Sequence, residues 1–194
     1  QTSDPSLSND EWVQEALKQN PLVRVDGPNS KPILLSFEGG GGLFPLAFGA
    51  GMVVRRFLRE RHPTRKIVYA GISSGSFTAL MLCLGVSKEQ MDSVNRYLWN
   101  IFAQPHITEV THTYVLLRRM LYRLLSVVPD WKERVNRSLI VVITKFEMGG
   151  FSEVVVRSFQ TKDDVVNSVM VSAHLVAMFR WFVRPFRHSM FKED

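Results

Sequence analysis

The chain has 194 residues, 45% hydrophobic and 22% charged, an ordinary globular balance with length enough for one domain and a sizeable core. Its formal net charge of +6 favours anionic surfaces such as phospholipid or nucleic acid without choosing between them. A single cysteine, Cys83, excludes an internal disulfide, and no apolar run approaches the roughly 20 residues needed to cross a bilayer.

Residues 1–32 are polar and rich in Ser, Asn and Pro. Within them "SNDEWVQEALKQNP" carries cap residues, early acids and a closing proline, which predicts a short helix at about 9–19. This segment reads as an N-terminal extension, and residues 33–194 as the main domain. The chain starts at Gln1 without a basic start or apolar signal region. It therefore reads as a piece of a longer protein, truncated at its C-terminal end, with any targeting segment lying elsewhere. The lone cysteine fits a reducing compartment, so an intracellular, cytoplasmic or peripheral-membrane setting is favoured and the localisation is otherwise open.

The run "KPILLSFE" at 31–38 is apolar, short and followed by glycines, which predicts a buried strand. "FPLAFGAGMVVRRFLRERHP" predicts a helix with Pro45 in its first turn and Pro63 past its end. "KIVYAG" at 66–71 reads as a second strand, "SGSFTALMLCLG" as an apolar helix containing Cys83 in its core, and "SKEQMDSVNRYLWNIF" as an amphipathic helix. In "TYVLLRRMLYRLLSVV", Tyr114, Leu117, Leu121, Leu124 and Leu125 share one face, with Arg118, Arg119 and Arg123 on a solvated face. Strands are expected at 138–146 and 152–159, and a capped helix in "TKDDVVNSVMVSAH". Strands alternating with helices predict an α/β fold with a mainly parallel sheet covered on both faces.

Two turns carry the chemistry. "GISSG" satisfies G-x-S-x-G with Ser73 in the middle, between a strand and a helix, flanked by Gly71 and Gly75. Such a corner projects its serine from the end of the sheet beside a helix N-terminus, where the dipole favours an anion. Earlier, Gly39, Gly40, Gly41 and Gly42 follow the first strand directly. Consecutive amides without side chains can point at one developing oxyanion. Two adjacent parallel strands would bring both turns to the carboxyl end of the sheet, where ligands collect in open α/β folds.

Together these residues resemble the patatin-like phospholipase family, whose pattern is a glycine-rich oxyanion loop after the first strand, then G-x-S-x-G, then an aspartate in D-G-G or D-G-A. "LLSFEGGGG" and "GISSG" match the first two; "VNRSLIVVITKF" and "SFQTKDDVVNSVMVSAH" look like the family's mid-domain strand and the helix leading toward its aspartate. The resemblance covers about residues 33–194. It implies a three-layer α/β/α patatin-like fold and a serine lipid acyl hydrolase with a Ser-Asp dyad. Its substrates would be phospholipids, lysophospholipids or acylglycerols. In that reading Ser73 is the nucleophile, Asp194 the base, and Gly39 to Gly42 the oxyanion hole. No metal or organic cofactor is needed. An acyltransferase would use the same acyl-enzyme. The expected partners are a lipid ester and a peripheral membrane or lipid-droplet surface, with no nucleic acid.

The third motif stays open between two acids, because Phe191 is three positions before Asp194 and two before Glu193. Leu43 and Phe44 follow Gly42 where the family often has a basic residue and glycine. These departures support a second reading, a non-catalytic lipid- or membrane-binding module on the same fold. An α/β-hydrolase order of Ser, Asp, His is formally available through Asp163 or Asp164 and His174 or His188. The histidines and acids show no convincing metal spacing. No G-K-[ST] follows the glycines, and no G-x-G-x-x-G leads to a suitable acid. Finally, "LVAMFRWFVRPFRHSMF" interleaves Phe179, Trp181, Phe182 and Phe186 with Arg180, Arg184 and Arg187, a pattern for a lipid interface, single-strand stacking or a packed connection.

Overall fold

A computed structural model of the chain describes residues 31–40, 44–102, 110–147 and 150–173. The predicted helix near 9–19 and the aromatic-arginine segment lie outside these residues. The described elements are β1 (Ile33–Phe37), α1 (Phe44–Arg61), β2 (Ile67–Ile72), α2 (Gly75–Leu84), α3 (Lys88–Phe102), α4 (Val110–Val127), α5 (Trp131–Ser138), β3 (Leu139–Glu147), β4 (Gly150–Val156) and α6 (Lys162–Ser172). The fold is mixed α/β with a mostly parallel four-stranded sheet.

The sheet runs in the order β1-β2-β3-β4. The first three strands are parallel and β4 returns antiparallel beside β3. Phe37 is registered with Gly71, and Ile72 with Val142. Helical crossovers join the parallel strands, as parallel pairing requires. β4 needs none, because it follows β3 after a short turn.

Among the described residues the core lies on one face of the sheet, where the sequence reading expected both faces to be covered. Ile67, Tyr69, Leu139, Val141, Ile143 and Val156 join a single buried cluster with the helices. The alternate positions Leu34, Val68, Ile140, Val142 and Val155 stand outside that cluster, and Leu34 and Val155 are exposed. Period-two alternation puts the two sets on opposite faces.

Helix α2 is the centre of the domain. "GSFTALMLCL" is apolar on every side, and all ten residues are buried. A helix with no polar face must be enclosed on all sides. Gly85, at φ +77°, ends it in the left-handed conformation that L side chains avoid. Its last turn is then capped by cations. Arg55 Nη1 donates to the Leu82 carbonyl at 2.9 Å and Arg134 Nη1 to the Leu84 carbonyl at 2.6 Å, both at the negative end of the helix dipole.

Local signals place the other helices. Ser87 and Gln90 form a reciprocal cap at the start of α3: the Ser87 amide donates to Gln90 Oε1 at 2.9 Å and the Gln90 amide to Ser87 Oγ at 3.2 Å. Thr161 and Asp164 form the same device at α6. Leu121 and Leu125 of α4 are fully buried as the sequence predicts. Arg118 departs from the solvated face expected for it. It donates to Asn167 Oδ1 at 2.8 Å and to the Tyr122 hydroxyl at 3.0 Å, and that hydroxyl in turn donates to Asp163. The network ties α4 to α6. Arg119 and Arg123 are exposed.

Helix α5 is not legible in the sequence reading. It is eight residues long with only Val135 buried, so it has almost no apolar period to detect. The signal available was Asp130 before "WKERV". Asp130 pairs with Arg134 one turn later, at 2.8 Å. No described helix is long and apolar enough to cross a membrane.

Candidate active site

The parallel pairing of β1 and β2 brings both sequence turns to the same edge of the sheet. Ser73 follows β2 and precedes α2. Its φ is +54°, the one positive φ at a non-glycine position among the described residues. Such a backbone costs on the order of 1–3 kcal/mol and persists only where the surroundings hold it.

What holds it is a set of serines. The Ser73 amide donates to Ser172 Oγ at 2.8 Å, and Ser172 Oγ donates to the Val142 carbonyl at 2.6 Å. The end of α6 is thereby tied to both the turn and β3. On the other side the Ser73 carbonyl accepts from the Ser76 amide at 3.0 Å and from Ser76 Oγ at 2.6 Å. Ser76 is fully buried. Ser73 itself is half-buried.

Three glycines let the backbones close up around it. A Cβ on Gly71 would lie 2.4 Å from the Gly75 carbonyl oxygen. One on Gly75 would lie 2.2 Å from the Phe37 carbonyl oxygen, at the end of β1. One on Gly39 would lie 2.7 Å from Ser73 Cβ and 3.0 Å from its Oγ. The glycine turn therefore rests directly against the serine. Gly41, Gly42, Glu193 and Asp194 lie outside the described residues.

The bond between the two turns is one the sequence reading missed. Gly40 donates its amide to Ser74 Oγ at 2.8 Å. Ser74 sits at the start of α2 without capping it, and is buried. As the variable position of G-x-S-x-G it carried no expected role; two adjacent serines facing one glycine run were the available signal. One of the four amides expected at the oxyanion hole is thus engaged by a protein hydroxyl.

Among the described residues, the hydrogen-bond partners of this corner are serines and backbone groups. Asp163 and Asp164 are at the opposite end of α6 from Ser172, roughly 12 Å away along a helix rising ~1.5 Å per residue. Both are also committed. Asp163 accepts from Tyr122, and Asp164 accepts from the amides of Gln160 and Thr161 at 2.9 and 2.8 Å. Both acids are thus engaged away from the Ser73 corner; His174 and His188, the other members of that alternative, lie outside the described residues. No group of three or more metal-capable side chains occurs among the described residues.

Cys83 is a core residue. Its thiol donates to the Arg134 carbonyl at 3.3 Å, and burial pushes its pKa up to about 12. It is at the far end of α2 from Ser73 and takes no part in the corner.

Comparison with protein-family models, with curated proteins and with solved structures finds no match for this chain. The chemical reading therefore stands on the residues. A hydroxyl projects from a strained corner at the positive end of a wholly buried helix, with an amide-rich turn in contact with it. That arrangement suits a nucleophile whose attack creates an adjacent negative charge.

Proposed function

We propose that the chain is a serine acyl hydrolase of patatin-like type. It cleaves carboxylic esters of phospholipids, lysophospholipids or acylglycerols at a membrane or lipid-droplet surface. The observation that carries the reading is the positive φ of Ser73 with Gly39 packed against its side chain. A half-exposed serine has no structural need of such a backbone, and strain of this kind gathers where function uses it.

In the proposed reaction Ser73 Oγ attacks the ester carbonyl carbon while its proton passes to a carboxylate, assigned here to Asp194. The oxyanion faces the amides of the glycine turn. The tetrahedral intermediate then collapses, the carbon–oxygen bond to the alcohol breaks, and the alcohol leaves with the proton. Water, deprotonated by the same carboxylate, attacks the acyl-serine; the bond from the acyl carbon to Ser73 Oγ then breaks, the serine oxygen takes back the proton, and the fatty acid is released. An alcohol acceptor in place of water would make the same intermediate serve an acyltransferase.

The test is fatty-acid release from phosphatidylcholine vesicles and from emulsified acylglycerol. The wild type is expected to turn over, and Ser73→Ala to lose at least about 10³-fold in kcat. Equal rates for both proteins would reject the assignment.

A second reading, a non-catalytic lipid-binding module, is favoured by the Gly40–Ser74 bond, which occupies one expected oxyanion donor. Vesicle binding that survives Ser73→Ala, with no ester turnover by the wild type, would select it.

A further inference from the structure

At the opposite end of the sheet, where β2 begins, the surface holds an open cavity of about 630 Å³. Its size is in the range of small-ligand sites. Arg59, Arg65, Lys66, Arg134 and Arg137 line it, with Tyr69 at its wall, and no acidic residue contributes. The cations converge from three elements: Arg59 from the end of α1, Arg65 and Lys66 from the approach to β2, and Arg134 and Arg137 from α5.

Two of these five have structural work. Arg134 binds Asp130 and the Leu84 carbonyl, and Arg65 donates to the Lys31 carbonyl at 2.8 Å. The side chains of Arg59, Lys66 and Arg137 form neither a hydrogen bond nor an ion pair with any described residue, and all three are exposed. Exposed cations ordinarily spread apart or alternate with acids. Here they share one concavity, whose low-dielectric walls focus their field on whatever anion enters.

We propose that this cavity binds a ligand carrying two or more phosphate groups. Guanidinium forks take phosphate oxygens in pairs and lysine adds a point charge, so three to five cations around one cavity fit a multiply charged anion better than a carboxylate or a single phosphodiester. Tyr69, the cavity-lining residue of β2 nearest the serine corner, is four positions before Ser73, about 13 Å of extended chain. The cavity is therefore a site apart from the ester chemistry and does not rest on the hydrolase reading. The phosphates belong either to a soluble polyphosphorylated compound or to a polyphosphorylated lipid headgroup.

The experiment measures binding of the full chain to inorganic tripolyphosphate by calorimetry. It also measures binding to phosphatidylcholine vesicles containing a bisphosphorylated inositide, against vesicles matched in charge with phosphatidylserine. Lys66→Glu/Arg137→Glu is the variant, and Arg123→Glu on the exposed face of α4 is the control. Tripolyphosphate binding that falls about 10- to 100-fold in the variant and not in the control supports the proposal with a soluble ligand. Preference for inositide over phosphatidylserine vesicles, lost in the same variant, supports it with a lipid headgroup. In the wild type, tripolyphosphate is expected to protect Lys66 from acetylation, a readout that needs no variant to fold. Binding to neither probe, equal binding by the variant, or an unprotected Lys66 in the presence of bound tripolyphosphate overturns it.

Discussion

The amide of Ser73 and the hydroxyl of Ser172 meet at 2.8 Å across 99 positions of sequence. Because Ser172 also holds the Val142 carbonyl, one hydroxyl fixes the strained corner to both α6 and β3. In the proposed reaction Ser172 would act through Ser73, as a positioning residue.

Ser172→Ala leaves one donor and one acceptor without their partner, at about 1–3 kcal/mol for each group that water does not reach. The expected result is a denaturation midpoint lowered accordingly and a kcat reduced with KM little changed. Ser172→Thr keeps the hydroxyl and is expected to restore much of both. Urea titration and steady-state kinetics on the three proteins check this. A variant with lowered stability and unchanged kcat would confine Ser172 to a structural role.

The glycines of the domain are not equivalent. Gly75→Ala sets a Cβ 2.2 Å from backbone at the end of β1, where nothing flexible can give way. Its cost is expected to reach or exceed the ~1–3 kcal/mol typical of overpacking. Gly49 is inside α1 with no atom within 4 Å of an added Cβ. Gly49→Ala is expected to stabilise by about 0.5–1 kcal/mol through helix propensity alone. Opposite shifts in thermal midpoint are the outcome to look for.

Ser74 pins the glycine turn through Gly40. Ser74→Ala removes that pin while leaving Ser73 in place. Turnover is expected to fall about ten-fold as the turn loosens, a smaller loss than the ~10²–10³ of deleting an oxyanion donor outright. A rise in kcat would mean instead that the bond restrains the Gly40 amide from the oxyanion.

Much of this fold was legible because its apolar segments are strongly patterned. "KPILLSFE" and "KIVYAG" became β1 and β2, although β1 is an edge strand with no fully buried residue rather than the buried strand expected, and the apolar "SGSFTALMLCLG" became the buried helix that begins at the serine corner. The G-x-S-x-G motif located Ser73, because a serine between glycines at a strand-to-helix junction has few other geometries to adopt. The contacts that hold it were not legible. Ser172, Ser74 and Ser76 are short polar side chains whose roles depend on which backbone groups the tertiary fold brings near. Helix α5 was missed for want of buried residues, and Arg118 was misread because its partner Asn167 lies on another helix. Asp163 and Asp164 looked available as catalytic acids until the capping box and Tyr122 were seen to occupy them.

Cys83 supplies a pH prediction. Its thiol is raised from 9.0 to about 12 by burial, so the neutral form is the one the fold prefers. The associated stability is full below pH 9, the unfolded value, and is lost as pH rises through about 12. At pH 8 the native thiolate population is about 10³-fold below that of the unfolded chain. Alkylation by iodoacetamide is therefore expected to be slow in the folded protein and rapid in guanidinium. Equal rates would show that the end of α2 opens readily.

The central claim is that the Ser73 hydroxyl is the nucleophile, and adduct mapping tests it most directly. The full chain is treated with a fluorophosphonate and the modified residue located by mass spectrometry. The account predicts one stoichiometric adduct on Ser73, abolished in Ser73→Ala and retained in Ser74→Ala. An adduct on Ser74, or undiminished labelling of Ser73→Ala, contradicts it.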